Sequence, residues 1–379
     1  MTHSIKLSVR QQIQSFKLAI LQLPDLPFPT ILSTGALQQL IDCSTRSRDR
    51  IFTPLVTLKA FIFQVLSADG SCRQAVTHVL AERLSQGKEA NSINTSSYCK
   101  ARDSLPLEPL IHAVNETGNG LHNQAHLSWR YKGHNTLIVD GTTVLMADTA
   151  DNQAAFPQQS CQKQGLGFPI ARIVGLVSLS TGALVSYAAG PYTGKGSGET
   201  SLFATLLGNI VSNDLLLADR YYCTWAIIAR LMKQDSHLLV QNHAQRTPDF
   251  RADKKLGAKD HLIGWKKPKK KPVWITDADY CLLPDEIMIR EFAVGGMVYV
   301  TTLVDQKKYP KKELALLYKE RWSIELDLRS IKTNMGMDML RCKTTAMVKK
   351  EIAIHFLSYN LIRANIARSA MMTKKNLAR

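Results

Sequence analysis

The order of its strand and helix candidates is the feature that most constrains what this chain can fold into. After residue 134, short apolar and β-branched runs bounded by turn signals replace the helical spacing of the preceding residues. In order, these candidates are strands at 136–139, 172–179 and 184–189, a helix at 199–211, and a strand at 215–218. This β-β-β-α-β order predicts an α/β protein built on a mixed sheet flanked by helices. It puts Asp140 at the end of the first strand and Asp219 just after the fourth.

A second pattern lies at 318–332, where the absence of Pro and Gly and the spacing of apolar residues predict one helix. At about 100° of rotation per residue, one face gathers a phenol, a carboxylate and cations within an arc of roughly 60°. These residues are Tyr318, Arg321, Glu325 and Lys332, with Arg329 on the same stripe. Asp327 points to the far side. A carboxylate can hold a divalent metal and cations can hold phosphates, although the same face also suits solvated ion pairs.

These residues carry a resemblance to a known family. The spacing Tyr318-x2-Arg321-x3-Glu325-x6-Lys332 is similar to the Tyr-Arg-Glu-Lys signature of insertion-sequence-four-type transposases, which are DDE enzymes of the ribonuclease-H-like superfamily. The signature becomes strong only when two aspartates precede it in the right contexts. Val139-Asp140-Gly141-Thr142 and Leu217-Ala218-Asp219-Arg220-Tyr221-Tyr222 resemble the family's first and second catalytic motifs. The resemblance covers about residues 95 to 365.

The resemblance implies a metal-dependent reaction on DNA. Asp140, Asp219 and Glu325 would be the catalytic acids and would hold two Mg²⁺ or Mn²⁺ ions, with Asp140 bridging them. Phosphoryl transfer uses two such metals about 3.5 to 4 Å apart, and carboxylates are their natural ligands. DNA contacts are expected from other residues of the two motifs, namely Tyr318, Arg321, Lys332, Arg220 and Arg329. Family members bind terminal inverted repeats in a synaptic complex, cut there, in several cases through a hairpin, and join the freed 3′-OH to target DNA.

Four regions are expected along the chain. Residues 1–125 read as an all-helical DNA-binding domain, with helices at about 55–66 and 71–84. Residues 126–241 and 298–379 would be the two parts of a ribonuclease-H-like core, the second part including C-terminal helices. Residues 242–297 would form a β-rich insertion with short strands such as 272–275 and 288–292. In the first region Arg46, Arg48 and Arg50 are expected to contact DNA phosphates, although an ordinary helical bundle with a basic surface would have the same pattern.

The insertion carries a basic run between two tryptophans, Trp265 and Trp274. Its lysines are Lys266, Lys267, Lys269, Lys270 and Lys271. Basic residues beside aromatics suit a strand backbone and unstacked bases, although a charged hairpin tip would look the same. Some relatives stack a Trp on a flipped base just before the strand that leads to the signature helix, where this chain has Gly295-Gly296-Met297. Met297, Trp265 or Trp274 could supply the contact, and we favour Trp274.

Composition indicates which class of molecule this chain binds and where it works. The 379 residues carry 48 Lys and Arg against 31 Asp and Glu, a net charge of +17, which favours a polyanion and first of all double-stranded DNA. The start of the chain lacks the apolar run of a signal peptide, and the seven cysteines form no CxxC pair, so a cytoplasmic protein is expected. The family resemblance implies that it is bacterial and associated with the nucleoid. The segment Gly190–Gly196 lacks P-loop spacing, which argues against a nucleotide cofactor. His122 and His126 are interpreted as a surface pair and not as a metal site.

Two alternatives remain open at this point. A ribonuclease-H-like nuclease that only hydrolyses would share the core, but the signature face and the insertion would then be unexplained. A degenerate or truncated relative that binds DNA without catalysis is the other, and the presence of Asp140, Asp219 and Glu325 argues against it.

Overall fold

The computed structural model describes residues 51–89, 92–194 and 196–372, with the isolated positions Gln39 and Asp42. The chain divides into two compact units that interleave along the sequence. The first takes in the described residues of Met1–Leu121, Val144–Ala155 and Leu328–Arg379; the second takes in those of His122–Thr143 and Phe156–Asp327. The arginines expected on DNA, Arg46, Arg48 and Arg50, lie outside the described residues. Among the helices that are described, none is both long enough and apolar enough to cross a membrane.

Helices make up most of the first unit. They are α1 (Pro54–Leu66), α2 (Cys72–Ser85), α3 (Ser96–Ser104), α4 (Leu107–Asn123), α5 (Ala150–Ala155) and α11 (Thr345–Met372). The first two confirm the helices expected from spacing, and each begins at a hydroxyl cap: Thr53 accepts from the Val56 N–H, and Ser71 from the Gln74 N–H at 3.1 Å. The closing region, expected as one or two helices, forms the single 28-residue helix α11.

Ten strands of the described chain form one sheet. Their order is β3-β2-β1-β4-β5-β9-β8-β7-β6, and β10 pairs with the end of β1. The bounds are β1 (Asn135–Met146), β2 (Ile170–Ser178), β3 (Leu184–Pro191), β4 (Asp214–Ala218), β5 (His237–Gln241), β6 (Lys254–Gly257), β7 (Asp260–Lys266), β8 (Glu286–Val294), β9 (Met297–Thr301) and β10 (Met339–Leu340). β2 and β3 are antiparallel, whereas β1, β4 and β5 are parallel to one another. This is the mixed sheet of a ribonuclease-H-like fold, as predicted.

The first strand is longer than expected. The sequence predicts a strand at 136–139 that ends at Asp140, but β1 continues to Met146, so Asp140 lies inside the strand. The continuation is hydrogen-bonded, because Leu145 and Met146 pair in parallel with Met339 and Leu340 of β10. A partner strand from far along the sequence thus extends β1 beyond the point where its own apolar run ends.

The insertion does not form a separate sheet. Strands β6, β7 and β8 continue the main sheet through β9, and the helix α8 (Asp277–Cys281) lies between β7 and β8. Gly295 and Gly296, at φ of 59° and 81°, form the two-residue turn that joins β8 to β9. The expected strand at 288–292 falls within β8, but residues 272–275 form a turn, so that strand prediction is wrong. The domain boundaries themselves stay predictions.

One hydrophobic core fills the side of the sheet that is covered by α6 (Glu199–Leu206) and α7 (Trp225–Lys233). Its residues from the central strands include Leu137 and Val139 of β1 and Leu216 and Ala218 of β4. Successive side chains of a strand point to opposite faces. Ile138 and Leu217, and the acids Asp140 and Asp219, are therefore directed to the other face of the sheet. The core therefore fixes the strands that carry the acids.

A buried Ser-His-Asp set lies at the ends of β2 and β4. His122 Nδ1 lies 3.0 Å from the Ser178 hydroxyl, and His122 Nε2 lies 3.3 Å from an Asp214 carboxylate oxygen. All three side chains are at most 2% exposed, so no substrate reaches them. The interpretation of His122 as a surface residue is therefore wrong, and this set has a structural role.

A charged pair holds the extended part of the sheet together. The Arg290 guanidinium donates two hydrogen bonds to the Asp260 carboxylate, at 2.8 and 2.7 Å, and a third to the Tyr309 carbonyl at 2.7 Å. Arg290 is 1% exposed. Removing one member of such a pair leaves a buried charge without compensation, which costs more than the intact pair contributes.

We expect Arg290→Met to lower the free energy of unfolding by about 3 to 5 kcal/mol, because Asp260 would keep a buried, unpaired carboxylate. Urea denaturation followed by tryptophan fluorescence measures the change. Arg251→Met is the matched control, since the Arg251–Asp249 pair at 3.1 Å is exposed and should leave stability unchanged. Equal small effects of the two substitutions would contradict a structural role for Arg290.

Candidate active site

The pairing of two parallel strands brings Asp140 and Asp219 together. Ile138 of β1 pairs with Leu217 of β4, and each acid follows its paired residue by two positions. Adjacent strands lie about 4.8 Å apart, and residues two apart point to the same face. The two carboxylates, far apart in sequence, are therefore neighbours on the face of the sheet opposite the α6–α7 core.

Each aspartate is oriented by the backbone that follows it. The Gly141 N–H donates to Asp140 Oδ1 at 2.9 Å, and the Arg220 N–H donates to Asp219 Oδ1 at 2.6 Å. Asp219 also caps the single 3₁₀ turn Arg220–Tyr222, which begins directly after β4. Both acids are partly buried. Local hydrogen bonds thus set the direction of each carboxylate without neutralising its charge.

The segment that carries Glu325 is not the uniform helix that the sequence predicts. It comprises α9 (Lys311–Lys319), a 3₁₀ turn at Glu320–Trp322, α10 (Ser323–Arg329) and a π-helical turn at Ser330–Asn334. The assumption of 100° per residue therefore fails at two points. Arg321, in the 3₁₀ turn, lies over the ring of Tyr318 near the end of α9, with its guanidinium carbon 6.0 Å from the ring centre.

Tyr318 and Arg321 position the acids around them. The Tyr318 hydroxyl donates to the Ala218 carbonyl at 3.0 Å, one residue before Asp219. Arg321 is 8% exposed, and its Nη2 lies 3.8 Å from Glu325 Oε1. Tyr318 therefore ties α9 to the end of β4, and Arg321 lies next to Glu325.

Charge is concentrated around Asp140. Burial raises the pKa of its carboxyl to about 6, although the Gly141 N–H and the Arg321 guanidinium oppose the shift. The negative charges of Glu199 and Glu325 raise this pKa further. Asp140 therefore lies within electrostatic range of one cation and of acids that come from two different helices. Such a site stabilises an added positive charge.

The donor set suits a hard divalent cation. Within residues 51–89, 92–194 and 196–372, no three His, Cys, Asp or Glu side chains stand close enough together to hold a metal ion as they are placed. The carboxylate oxygens of Asp140, Asp219 and Glu325 are nevertheless the ligand type that Mg²⁺ and Mn²⁺ take in proteins.

Glu199 is the acid that sequence reasoning missed. It is the first residue of α6, and the sequence alone marks it only as the start of a helix. A Cβ added to Gly141 would lie 2.7 Å from Glu199 Oε1, so the Glu199 carboxyl rests against the backbone next to Asp140. The available signal was a glycine directly after a strand acid, together with an acid in the first turn of the helix after the third strand.

The remaining residues from which DNA contacts are expected are more exposed to solvent than Tyr318 and Arg321. Arg329 is exposed and Lys332 is partly buried, and both belong to the first compact unit. Arg220 is exposed, with its guanidinium carbon 5.6 Å from the centre of the Tyr221 ring. The DNA contacts expected of these residues, and of Tyr318 and Arg321, stay predictions.

The lysine run divides into two groups. Lys267 and Lys271 donate to the carbonyls of Leu283 and Ile275, each at 2.8 Å. The side chains of the other three lysines are exposed, and their ammonium groups make no hydrogen bond or ion pair with the described part of the chain: Lys266, Lys269 and Lys270.

The tryptophans of the insertion differ in accessibility. Trp265 is 4% exposed and donates to Glu291 at 3.1 Å, so it is excluded as a base-stacking residue. Trp274 is partly buried and packs against the α6–α7 core, whereas Met297 is 40% exposed at the start of β9. A stacking role for Trp274 or Met297 stays a prediction.

Comparisons with known proteins show which proteins this chain is similar to. A family model described as "Transposase DDE domain" matches residues 131–361, a span that contains Asp140, Asp219 and Glu325. Transposase InsG for insertion sequence element IS4 of Escherichia coli (strain K12) is 28% identical over 308 residues, which make up 79% of this chain and 67% of that protein. A cryo-EM structure of a piggyBac transposase synaptic complex with hairpin DNA aligns with 95% of this chain and 78% of its own, at 8% identity and a TM-score of 0.45.

The family match tests the resemblance that the motifs predict. The matched residues make up more than half of the chain, and they include both aspartate motifs and the Tyr318–Lys332 signature. The predicted resemblance to DDE transposases is thereby confirmed, and the chain belongs to the family of the transposase DDE domain.

Proposed function

We propose that this protein is a cut-and-paste transposase. It binds the terminal inverted repeats of its own insertion sequence, cleaves DNA there, and joins the freed 3′ ends to target DNA within a synaptic complex of several copies. The observation that carries this proposal is the parallel pairing of β1 with β4, which sets Asp140 beside Asp219 on one face. Glu325, within electrostatic range of Asp140, supplies the third acid. The similarity to a transposase of an insertion sequence supports the choice of substrate.

The chain's own residues divide the work of the reaction. Asp140, Asp219 and Glu325 would hold two Mg²⁺ or Mn²⁺ ions, whose chemistry is to activate the attacking oxygen and to stabilise the leaving one. Arg321 pairs with Glu325 and offsets part of the negative charge on Asp140. Tyr318 fixes the backbone that leads to Asp219. The exposed Arg220, next to Asp219, is placed to contact a DNA phosphate.

We expect Asp140→Asn, Asp219→Asn and Glu325→Gln each to abolish cleavage of the element's ends while end binding remains, because the acids act as a unit. The substitutions keep side-chain shape and remove only the charge. Cleavage and gel-shift assays on the DNA that flanks this gene measure the two properties separately.

Asp327→Asn is the matched control. Residues two positions apart in a helix are rotated by about 200° around its axis, so the sequence places Asp327 on the far side from Glu325. Cleavage by Glu325→Gln, or its loss in Asp327→Asn alone, would show that the wrong acid has been assigned. Wild-type protein that cuts the ends but never joins them to a target plasmid would identify a hydrolytic nuclease instead.

The exposed lysines of the insertion are proposed to contact DNA phosphates. Replacing Lys266, Lys269 and Lys270 with Gln should weaken binding to specific and random DNA alike. It should also reduce the slope of log K against log salt, by up to about 0.9 for each phosphate that a lysine no longer neutralises. Fluorescence anisotropy over a range of salt concentrations measures that slope.

The same loop provides the control. Lys267→Gln with Lys271→Gln removes charge from residues whose ammonium groups already donate to backbone carbonyls. This double variant should keep the wild-type slope. Equal slopes for wild type and the triple variant would show that these lysines contact no DNA phosphate and form a solvated hairpin tip.

A further inference from the structure

A glutamine-rich loop between α5 and β2 presents two large apolar side chains to solvent. It comprises residues 157–169, and we call it the Gln158 loop. Leu166 is 76% exposed and Phe168 is 49% exposed. Single exposed apolar residues are common on protein surfaces, but two of this size, one residue apart on a loop, indicate a contact surface. Neither side chain belongs to the acid site or to the signature segment.

Gln158 fixes the shape of this loop. Its side-chain oxygen accepts hydrogen bonds from the Gly165 and Gly167 N–H groups at 3.1 and 3.2 Å. Its side-chain nitrogen donates to the carbonyls of Gln162 and Lys163 at 3.2 and 2.9 Å. These hydrogen bonds hold the loop in one conformation before any partner binds. A preformed loop loses less conformational entropy on binding than a flexible one.

Gly167 lies between the two apolar residues and faces inward. It is buried, and a Cβ added there would lie 2.1 Å from Gln162 Oε1 and 2.9 Å from Gln158 Cβ. No side chain fits at this position unless Gln162 moves, so the backbone here packs directly on glutamine side chains. Leu166 and Phe168, on either side of Gly167, are left on the outside of the loop.

The loop leaves the sheet at the end that carries the acids. β2 lies next to β1 in the sheet, and the Leu179 N–H, just after β2, donates to the Thr136 carbonyl near the start of β1 at 2.8 Å. The end of β2 therefore lies beside the start of β1, and the two strands run in opposite directions. Ile170, at the start of β2 and directly after the loop, thus lies toward the end of the sheet to which β1 and β4 carry Asp140 and Asp219.

The composition of the Gln158 loop fits DNA as its partner. The loop contains four glutamines and one lysine, Lys163, and neither Asp nor Glu. Proteins that bind the minor groove of DNA contact it with Lys, Arg, Asn and Gln side chains, and many insert Leu or Phe between neighbouring base pairs, which bends the duplex. The net charge of +17 favours the same partner. An apolar interface with a second copy of the chain would instead desolvate Lys163 and the glutamine amides, which is unfavourable.

We propose that the Gln158 loop binds the minor groove of duplex DNA and inserts Leu166 and Phe168 between its base pairs, next to the place where the DNA is cut or joined. The exposed Lys163 and Gln164 contact the phosphates and base edges on either side of the inserted residues. The insertion bends the duplex. The inference rests on the proposed function, because it takes the partner to be the DNA on which the acids act.

Binding and bending of a duplex labelled at both ends test the insertion with the full chain. We expect Leu166→Ala combined with Phe168→Ala to weaken binding about 10-fold, because the variant loses apolar area that the DNA buries. Energy transfer between the labels should show a bend with wild type and none with this variant. The slope of log K against log salt should not change, since neither residue is charged. Wild-type affinity and bending in the variant would overturn the inference.

Leu127→Ala combined with Val211→Ala is the matched control. These two residues are 72% and 51% exposed, and they lie ahead of β1 and β4, at the other end of the sheet. This variant should bind and bend DNA as wild type does. An equal loss in both double variants would show that the effect is not specific to the Gln158 loop, which contradicts the inference.

Photo-crosslinking identifies the molecule that the loop contacts. The full chain with Leu166→p-benzoylphenylalanine is mixed with labelled element ends and a target plasmid, and is then irradiated. A crosslink to the element end places the loop on that end, and a crosslink to the plasmid places it on target DNA; either result supports the inference. A crosslink only to a second copy of the chain, or none to DNA, would overturn it.

The outcomes separate this inference from the proposed function. If the wild type cuts the ends and Asp140→Asn does not, while the loop variant binds and bends DNA as wild type does, the proposed function stands and the loop inference is wrong. If the wild type binds neither element ends nor plasmid DNA, both are wrong. Circular dichroism checks that the loop variant is folded; should it unfold, the crosslink from position 166 decides.

Discussion

The hydrogen bonding of β1 to β4 is the interaction on which the site depends. Two parallel strands in this register carry their acids to the same level, because Asp140 and Asp219 each lie two residues past the pair Ile138 and Leu217. A shift by one residue would turn one carboxylate into the apolar core on the opposite face. That core, beneath Leu137 and its neighbours, therefore fixes the register, and the register fixes the distance between the acids.

Carboxylates that lie close together repel one another, so neighbouring residues that take no part in the reaction must stabilise the arrangement. Arg321, nearly buried in a 3₁₀ turn, lies close to both Glu325 and Asp140. The Tyr318 hydroxyl donates a hydrogen bond to the Ala218 carbonyl, which ties the helical segment to the strand that ends before Asp219. The signature thus contains, besides its acid, a tyrosine that hydrogen-bonds next to Asp219 and an arginine that pairs with Glu325. In the sequence alone they look like a phosphate-binding face.

Much of this arrangement could be predicted from the sequence, and the failures have physical causes. Local apolar runs and turn signals identify the strands and locate Asp140 and Asp219, because a strand that becomes buried is itself composed of apolar residues. Contacts between distant segments leave no such local pattern. The pairing of β10 therefore extends β1 past Gly141, and the predicted helix breaks near the buried Tyr318. Glu199 escaped notice because its approach depends on a missing Cβ in another strand.

If the acids of β1, β4 and α10 form one divalent-metal site, an ion bound there can be located directly. Fe²⁺ bound in place of Mg²⁺, with ascorbate and peroxide, generates hydroxyl radicals that cut the protein backbone near the ion, and mass spectrometry locates the cuts. We expect cuts around Asp140, Asp219 and Glu325, suppressed by excess Mg²⁺ and absent in Asp140→Asn. Cuts confined to other segments, or cuts that Mg²⁺ does not suppress, would contradict a shared metal site.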